Sequence, residues 1–519
     1  MSKIFTLSEE HNPNYLPRIV KLTEFKPHPN ADKLVKTVVD GFDVVVSKDM
    51  KVGDIVLYFP LECQINEGFL SANNLFEISE WERNANASEI DTLLKKITEL
   101  KNESKTEEAN KLIYEAKRMV GFFSKKRRVR CANFRGEPSQ GFVIPAEESL
   151  KKWKPNLSIN VEDFIGVDFD CIDGDKLAKK YVPIIRDNQA SNGHGNNGNK
   201  RNKKLKKFDR LVEGQFNFHV DTNMFNKNYH RIHPTTVVSI SEKIHGTSSI
   251  SAKILVKRKL NTLEKIKKFF GFKVNLLEYG YVNSSRSVIK NRYINSGTQN
   301  HFYGTDVWGE ADMILRPYLE DGMTFYYEIA GYLPGTNKYI QKQYDYGCEA
   351  GTFIIRIYRI TETDKFGEVY EWPMKKIQEW TKEKGLVPVN QLYYGTFGEL
   401  YPDIDITSKI KSLEEKKNKL IEEQTSITEI DNEINSILYP WQEEVLARLK
   451  KDERFYMEQN SPHCKNKVPH EGIVLRFEHE NKLEVYKLKC QAFYDRESKA
   501  LDKGEVDIET EQSEESMNE

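Results

Sequence analysis

The sequence predicts an α+β protein in which a β-rich N-terminal domain precedes a larger domain of alternating strands and helices. Short β-branched and aromatic runs separated by turn residues fill residues 16 to about 165, with the spacing of a small barrel. From about residue 208, apolar strands alternate with helical patterns. Two charged segments with apolar residues at helical spacing, at about 86–120 and 408–452, interrupt these domains as helical insertions.

Composition excludes several classes of protein. The chain has 519 residues and a net charge of -1, so a basic surface must be local rather than global. Its six cysteines are scattered without a CxxC pair, which indicates neither a zinc site nor a disulfide framework and fits a reducing, cytoplasmic compartment. No apolar run is long enough to span a membrane, and the N-terminus has no signal region. We therefore expect no membrane association.

The N-terminal domain is defined by short strands predicted at 18–22, 35–39, 42–46 and 55–59. The segment PHPNADKL at 27–34 resembles the opening of the oligonucleotide-binding (OB) barrels of tRNA-binding modules, although a turn that only closes a barrel is equally consistent. Apolar residues at helical spacing then predict an insertion that continues toward Met119 as a hairpin; they are Ile90, Leu93, Leu94, Ile97 and Leu100.

Basic residues are concentrated in two places. A cluster after the first insertion is a candidate contact for a nucleic-acid backbone, with a solvated face as the alternative; it comprises Lys125, Lys126, Arg127 and Arg128. Residues 186–207 are rich in glycine, asparagine and lysine and predict a flexible basic linker.

Three further segments are expected outside the main strands. Residues 257–277, rich in lysine and phenylalanine, predict an inserted helix that forms a lid or an added RNA contact. The insertion at 408–452 predicts a helical hairpin that Pro440 breaks. Residues 496–519 are acidic and low in apolar content, which predicts a disordered tail.

The central motif is Glu-Lys-Ile-His-Gly-Thr at 242–247, directly after a β-branched run. Lys243 therefore lies where a strand ends, and Gly246 permits a turn or a close backbone approach. A lysine amine buried beside another cation loses its proton more readily and becomes a nucleophile. For this motif alone, a surface lysine in a loop is the simpler interpretation.

Five downstream segments change that balance because each places a chemically useful residue on a predicted strand. Lys487 and Lys489 alternate along one strand and so share a face. The segments are 281–286 with Arg286, 323–331 with Glu328, 352–358 with Phe353, 471–477 with Glu471, and 483–489 with both lysines.

These six segments, in this order, resemble the six nucleotidyltransferase motifs of covalent ATP-dependent ligases and capping enzymes. The first motif reads EKIHGT, as in RNA ligases. The segment RGEPSQGFVIP at 135–145 is similar to the branch of RNA ligases with an N-terminal OB domain. The resemblance covers about 16–80, 120–185 and 208–495. It implies an OB-like nucleic-acid-binding domain at 1–185 and a nucleotidyltransferase domain, an ATP-grasp-like mixed α/β ligase fold, at 208–495.

The resemblance also implies roles. Lys243 would be the nucleophile that carries AMP, and Glu471 would hold a hydrated Mg²⁺ or Mn²⁺ ion. Residues implied to bind ATP are Glu242, Arg286, Glu328, Phe353, Lys487 and Lys489, with phosphate at the two lysines, ribose at Glu328 and adenine on Phe353. His245 and Gly246 would be auxiliary. The implied partner is RNA with a 5′-phosphate to join to a 3′-hydroxyl, and no protein partner is indicated.

Alternatives stay open for residues and function alike. Lys487 and Lys489 also fit the wet face of an edge strand, Glu328 a pair with a lysine, Phe353 the core, and His245 a turn. A DNA ligase or a GTP-dependent capping enzyme would use the same scaffold. Those families place the OB domain after the catalytic domain, whereas here it comes first. A non-catalytic RNA-binding protein would not need the lysines and carboxylates of all six segments.

Overall fold

The computed structural model describes residues 4–183, 208–219, 221–286, 288–290, 306–480 and 482–505. The chain divides into two compact units, Met1–Pro183 and Ile184–Glu519. The predicted linker at 186–207 and the part of the predicted tail beyond residue 505 lie outside the described residues.

Short strands make up most of the regular structure of the N-terminal unit. They are β1 (Phe5–Thr6), β2 (Arg18–Lys21), β3 (Lys26–Pro27), β4 (Leu34–Val39), β5 (Phe42–Ser47), β6 (Ile55–Phe59), β7 (Cys63–Ile65), β8 (Cys131–Phe134), β9 (Glu137–Gln140), β10 (Phe142–Pro145), β11 (Cys171–Ile172), β12 (Asp175–Lys176) and β13 (Ala178–Lys180). The helices are α1 (Glu67–Ala72), α2 (Ala87–Asn102), α3 (Thr106–Arg118) and α4 (Ala146–Trp153).

These strands pair in five small sheets, with the orders β1-β11-β12, β2-β6-β10, β3-β4-β5, β7-β13 and β8-β9. β6 is the central strand of its sheet, and its residues from Val56 to Phe59 are buried. Within the described residues no sheet closes on itself, because each ladder stops at an edge strand of two to six residues. The predicted strands are confirmed, whereas the predicted closed barrel is not.

The first helical insertion forms as predicted. α2 and α3 are antiparallel neighbours joined by a short turn at 103–105. The periodic residues Ile90, Ile97 and Leu100 are buried on α2, opposite Ala109 and Ala116 of α3. Burial of that apolar stripe is what holds a charged helix of this kind in place.

The C-terminal unit carries longer strands. They are β14 (Asn223–Met224), β15 (Val237–Glu242), β16 (Thr247–Lys257), β17 (Leu277–Ser285), β18 (Met323–Gly331), β19 (Phe353–Thr363), β20 (Val369–Glu371), β21 (Gln391–Thr396), β22 (Gly472–His479) and β23 (Lys482–Lys489). The helices are α5 (Phe225–Asn228), α6 (Thr262–Phe269), α7 (Val307–Leu315), α8 (Met374–Glu383), α9 (Phe397–Leu400), α10 (Thr407–Glu422), α11 (Thr428–Leu449) and α12 (Gln491–Asp502). None of the helices in the described ranges has the length and apolar character needed to cross a membrane.

Two five-stranded sheets organise this unit, with the orders β14-β23-β22-β15-β21 and β17-β16-β18-β19-β20. The first sheet packs Val238, Ile240 and Leu475 in one core cluster with Val445 and Leu449 of α11. The second sheet has its own cluster, in which residues of β18 and β19 meet α7 and α8. The α+β class is therefore confirmed, and β15 and β16 place consecutive strands in different sheets.

Two details of the prediction are wrong. Pro440 lies inside α11 and does not end it. A proline removes one backbone donor, but burial of Trp441, Val445 and Leu449 immediately after it keeps the helix continuous. The predicted tail also begins too early, because α12 continues to Asp502 with Phe493 and Tyr494 buried.

Candidate active site

The EKIHGT motif forms the crossover between the two sheets of the C-terminal unit. β15 ends at Glu242 and β16 begins at Thr247. The backbone N–H of Lys243 donates to the carbonyl of Gly472 at 2.9 Å, and the N–H of Gly246 donates to Oε1 of Glu328 at 3.1 Å. The crossover is thereby tied to a strand of each sheet, which fixes the backbone that carries Lys243.

Gly246 is required by a close approach rather than by its backbone angles. A Cβ at this position would lie 2.2 Å from the carbonyl oxygen of Ile329, far inside van der Waals contact. Gly472 is constrained in both respects: its φ is 138°, and a Cβ there would lie 2.1 Å from the carbonyl oxygen of Leu488. The two glycines let the crossover pack tightly against β18 and let β22 pack tightly against β23.

Lys243, Glu471 and Lys489 come together although they are far apart in sequence. The Nζ of Lys243 lies 2.7 Å from Oε1 of Glu471, and the Nζ of Lys489 lies 3.8 Å from the same oxygen. The side chain of Glu471 is only 3% exposed, whereas that of Lys243 is 25% exposed. One buried carboxylate thus holds two ammonium groups, and Lys243 is accessible to a ligand.

Glu497 completes this cluster from α12. Its Oε1 lies 3.0 Å from the Nζ of Lys489. Burial alone would lower the pKa of Lys489, but the carboxylates of Glu497 and Glu471 raise it well above its usual range. Burial would raise the pKa of Glu497, and the charges of Lys489, His245 and Lys487 instead hold it below its usual range. Lys489 is therefore a fixed positive charge beside Lys243, with Lys487 two positions away on the same strand face.

Glu328 belongs to a polar row across the second sheet. Ser248, Glu328 and Arg356 are direct cross-strand partners on β16, β18 and β19, so their side chains share one face. Oε1 of Glu328 accepts from Gly246, and Oε2 accepts from the Ser248 hydroxyl at 3.0 Å. A carboxylate oxygen accepts more than one hydrogen bond, so Glu328 keeps acceptor capacity for a ligand hydroxyl.

Glu242 anchors the end of β15. Its Oε2 lies 2.8 Å from Nε2 of His463 and accepts from Nδ2 of Asn390 at 3.1 Å, and its Oε1 lies 3.5 Å from Nε2 of His470. Burial alone would raise the pKa of Glu242, but the contacts with His470, His463 and Asn390 hold it below its usual range. This buried anion stabilises the strand end from which Lys243 projects.

His245 packs within the crossover and also faces the carboxylate. Its backbone N–H donates to the hydroxyl of Tyr346 at 2.7 Å, and its ring meets the rings of Tyr344 and Phe493 edge-on at 4.7 and 4.9 Å. Its Nδ1 is 3.7 Å from Oε2 of Glu471. His245 therefore fills the turn and lies beside the reactive cluster.

Phe353 and Arg286 lie on other strands. Phe353 is opposite Gly331 at the end of the β18–β19 pair and is partly buried against the core of the second sheet. Arg286 directly follows β17 and pairs with the carboxylate of Asp221. Neither side chain takes part in the contacts described above between Lys243, Glu471 and Lys489.

The chemistry of Glu471 fits a hydrated divalent cation. Its Oε2 is buried and has no hydrogen-bond partner, so the protein leaves one carboxylate oxygen available. No group of three His, Cys, Asp or Glu side chains in the described part of the chain is arranged to hold a metal alone. Mg²⁺ commonly binds through one or two carboxylates and takes its other ligands from water and substrate phosphates. A divalent cation here would need the nucleotide to complete its coordination.

The basic cluster of the N-terminal unit is only partly accessible. Lys125 is exposed, and Lys126 and Arg127 are half-buried. Arg128 is 3% exposed, its guanidinium lies 2.6 Å from Oε1 of Glu62, and it lies over the ring of Tyr181. The prediction of a nucleic-acid contact is therefore wrong for Arg128, because a buried ion pair leaves it out of reach of a phosphate.

Sequence reasoning missed Glu497 and Arg356. Glu497 falls in the segment interpreted as disordered, although Phe493 and Glu497 have the i, i+4 spacing of one helix face. Arg356 interrupts an apolar strand, which is the available signal. It is half-buried, and burial lowers the pKa of its guanidinium although Cys348 and Glu242 act in the opposite direction. Among the described residues no carboxylate forms an ion pair with Arg356, which makes it a further candidate for contact with an anionic ligand.

Comparison with known proteins returned solved structures only. No protein-family model matches the chain, and no curated protein matches it. The chain is similar to structures of an RNA ligase from Naegleria gruberi. An apo mutant is 13% identical, covers 93% of this chain and 98% of its own, and has a TM-score of 0.47. The enzyme with PPi is 13% identical with a TM-score of 0.45, and a mutant with AMP and Mn is 14% identical with a TM-score of 0.46. At these values the likeness carries no argument, so the function depends on the residues described above.

Proposed function

We propose that this protein is an ATP-dependent RNA ligase that works through a covalent lysyl-AMP on Lys243. The observation that carries the proposal is the cluster at the crossover, where Lys243 is accessible, contacts the buried Glu471 and has the fixed charge of Lys489 beside it. A nucleophilic amine, a carboxylate able to take a metal and a cation for phosphate are the parts that adenylyl transfer requires.

In the first step, the amine of Lys243 attacks the α-phosphorus of ATP. A bond forms between Nζ and phosphorus, the bond to the bridging oxygen breaks, and pyrophosphate leaves with that electron pair. The amine must first lose a proton. The contact with Glu471 favours the protonated ammonium form, so the amine becomes nucleophilic when the charge of Glu471 is compensated.

Compensation of that charge is the role we assign to the orphan oxygen of Glu471. A divalent cation held there, Mg²⁺ or Mn²⁺, would neutralise the carboxylate and polarise the phosphate of the nucleotide. Lys489 would stay charged because Glu497 also holds it, and with Lys487 it would stabilise the negative charge that develops on the α-phosphate.

The remaining predicted ligands orient the nucleotide. Glu328 would accept a hydrogen bond from a ribose hydroxyl, since its protein donors leave acceptor capacity. Phe353 would stack on adenine with the part of its ring that the core leaves exposed, and Arg286 would contact ribose or phosphate. Glu242 would act indirectly by holding the strand end before Lys243. His245, beside Glu471, would assist after adenylation.

The later steps transfer AMP to RNA and seal it. The 5′-phosphate of one strand attacks the lysyl-AMP, which releases Lys243 and forms a 5′-5′ pyrophosphate linkage. The 3′-hydroxyl of the other strand then attacks the 5′-phosphate and releases AMP. RNA repair in the cytoplasm fits this chemistry and the scattered cysteines.

The N-terminal unit would bind the RNA through an OB-like surface. Its accessible cations after the first insertion are the proposed phosphate contacts, and they are Lys125, Lys126 and Arg127. Changing these three to glutamine should weaken RNA binding and flatten the slope of log K against log salt by about 0.7 for each lost contact to single-stranded RNA. Adenylation should not change, and equal binding across a salt series would remove this surface from the proposal.

Intact-mass measurement after incubation with ATP and Mg²⁺ tests the main proposal. We expect the mass to increase by one AMP, with the modified peptide containing Lys243, and the adduct to disappear on addition of nicked RNA. GTP in place of ATP tests the capping alternative. Nicked duplexes that differ only in the 2′-hydroxyl at the 3′ end separate RNA sealing from DNA sealing. A protein that never gains AMP but still binds RNA is a non-catalytic RNA-binding protein.

A further inference from the structure

The hairpin of β16 and β17 carries an unusually exposed apolar segment at its outer end. α6 and the turn after it have no buried residue up to Lys273, and Phe269, Phe270 and Phe272 are 85%, 69% and 67% exposed. Leu263 and Ile266 are also exposed on the same helix. Soluble proteins rarely leave aromatic rings in such a group uncovered unless the surface binds something.

This segment, residues 262–273, is an ordered part of the structure. Asn261 and Glu264 form a reciprocal capping box at the start of α6. Arg258 pairs with the carboxylate of Glu264, and its backbone N–H donates to the carbonyl of Leu276 at 2.8 Å. The helix is therefore fixed to the end of the hairpin, and the exposure of its rings is built into the fold.

The charges around the rings indicate the chemistry of the partner. Four exposed lysines alternate with the apolar residues, at positions Lys265, Lys267, Lys268 and Lys273. Among the described residues, no carboxylate forms an ion pair with any of these four. Aromatic rings interleaved with unneutralised cations match single-stranded nucleic acid, in which every base offers a π face and every nucleotide a phosphate.

We propose that residues 262–273 form a second RNA-binding surface, which holds the single-stranded arm of a substrate at a distance from the reacting ends. The proposal rests on the ligase function above. β16 begins one residue after Gly246 and continues for 11 residues to Lys257. At about 3.3 Å per residue, the surface lies about 33 Å along the strand from the crossover. At about 3.4 Å per stacked nucleotide, an arm must extend about ten nucleotides from the junction to reach it.

That distance gives a length threshold that tests the proposal. Two variants of the full chain remove the rings (Phe269, Phe270 and Phe272 to alanine) or the charges (Lys265, Lys267, Lys268 and Lys273 to glutamine). A matched control removes four exposed lysines and an exposed aromatic ring from the other insertion of the same unit; these are Lys409, Lys411, Lys416, Lys419 and Tyr439. Binding is measured by fluorescence anisotropy with RNA arms of about five and about twenty nucleotides, on either side of the threshold.

We expect the ring variant to bind the long arm about tenfold or more weakly and the short arm normally, since a stacked base is worth a factor of this size. The charge variant should lower the salt slope for the long arm by up to about 0.7 per lysine. The control should resemble wild type. Equal affinity of wild type and the ring variant for the long arm, or an equal loss for both arms, overturns the proposal.

Two further measurements distinguish a failure of the ligase function, or a lipid partner, from RNA binding at this surface. Adenylation by ATP alone should be unchanged in both variants, which also shows that they fold. If wild type does not adenylate, the ligase function fails while the length comparison still reports on the surface. Vesicles containing anionic lipid test the alternative partner, because a short basic amphipathic helix also suits a membrane surface. Loss of vesicle binding in the ring variant with unchanged binding of the long arm would assign the surface to lipid and overturn the RNA proposal.

Discussion

Replacing Glu497 with glutamine removes one carboxylate from the cluster around Lys489 and keeps the size of the side chain. Glu497 lies 3.0 Å from Lys489, whose side chain is 14% exposed, and the remaining carboxylate, Glu471, is farther away at 3.8 Å. Loss of one partner of a buried ion pair costs about 3–5 kcal/mol. Because Lys489 keeps Glu471 and the pair is slightly exposed, we expect Glu497→Gln to lower the free energy of unfolding by about 2–3 kcal/mol.

The effect should depend on pH in a defined direction. The pKa of Glu497 is below its usual range, so its stabilisation is present above the ordinary carboxylate pKa and is lost as pH falls through the folded value. The pKa of Lys489 is raised, so its part is present below the ordinary lysine pKa and is lost only as pH rises through the folded value. The difference between wild type and Glu497→Gln should thus be constant near neutral pH and shrink in acid.

Urea unfolding, measured at several pH values, tests the stability, and mass measurement of the AMP adduct tests the activity. A misplaced Lys489 should slow adenylation by about tenfold to a hundredfold, because errors of about 1 Å at a reacting centre have effects of this size. Glu379→Gln, at an exposed position of α8 without an ion pair among the described residues, is the matched control. Wild-type stability and adenylation in Glu497→Gln would refute the role given to Glu497.

Three further substitutions test other parts of the structure. Lys243→Ala should abolish the AMP adduct and leave the thermal midpoint nearly unchanged, since the side chain is partly exposed; an adduct on another residue would reject the assigned nucleophile. Gly246→Ala should destabilise the protein by about 1–3 kcal/mol and impair adenylation, because its Cβ would meet the carbonyl of Ile329 at 2.2 Å; circular dichroism melting measures the first effect. Arg128→Gln should cost about 3–5 kcal/mol by leaving Glu62 buried without its partner, while the affinity of the folded protein for RNA stays the same by anisotropy.

Strands were the most predictable part of the fold because their signal is local. β18 was predicted from Met323 to Gly331 and has those bounds, since all nine of its residues are buried and apolar or aromatic types dominate. The two helical hairpins were also predicted, because an amphipathic stripe over several turns is unambiguous. Closure of a sheet into a barrel depends on pairing between distant edge strands, which no local pattern encodes.

The errors arise where tertiary packing overrides a local rule. Pro440 is a helix breaker by itself, but the buried residues after it hold α11 together. Arg128 has the composition of a surface cluster, yet Glu62, brought close by the fold, pairs with it in the interior. The placement of Lys243 at a strand end was predictable from the β-branched run before it. Its contact with Glu471 is 228 positions away in sequence and was expected only from the resemblance of the motifs.

The position of the motif between two sheets explains how a mobile side chain such as lysine is held for chemistry. A lysine side chain loses considerable rotamer freedom when it is fixed, so precise placement must come from the backbone and from its partners. Here the backbone of Lys243 is bonded to β22, and the glycine three residues later is clamped against β18. Glu471, the residue before β22, supplies the carboxylate that contacts the amine. The same strand therefore positions both the main chain and the charged end of Lys243, so a displacement of β22 would move the nucleophile and its carboxylate together and preserve their distance.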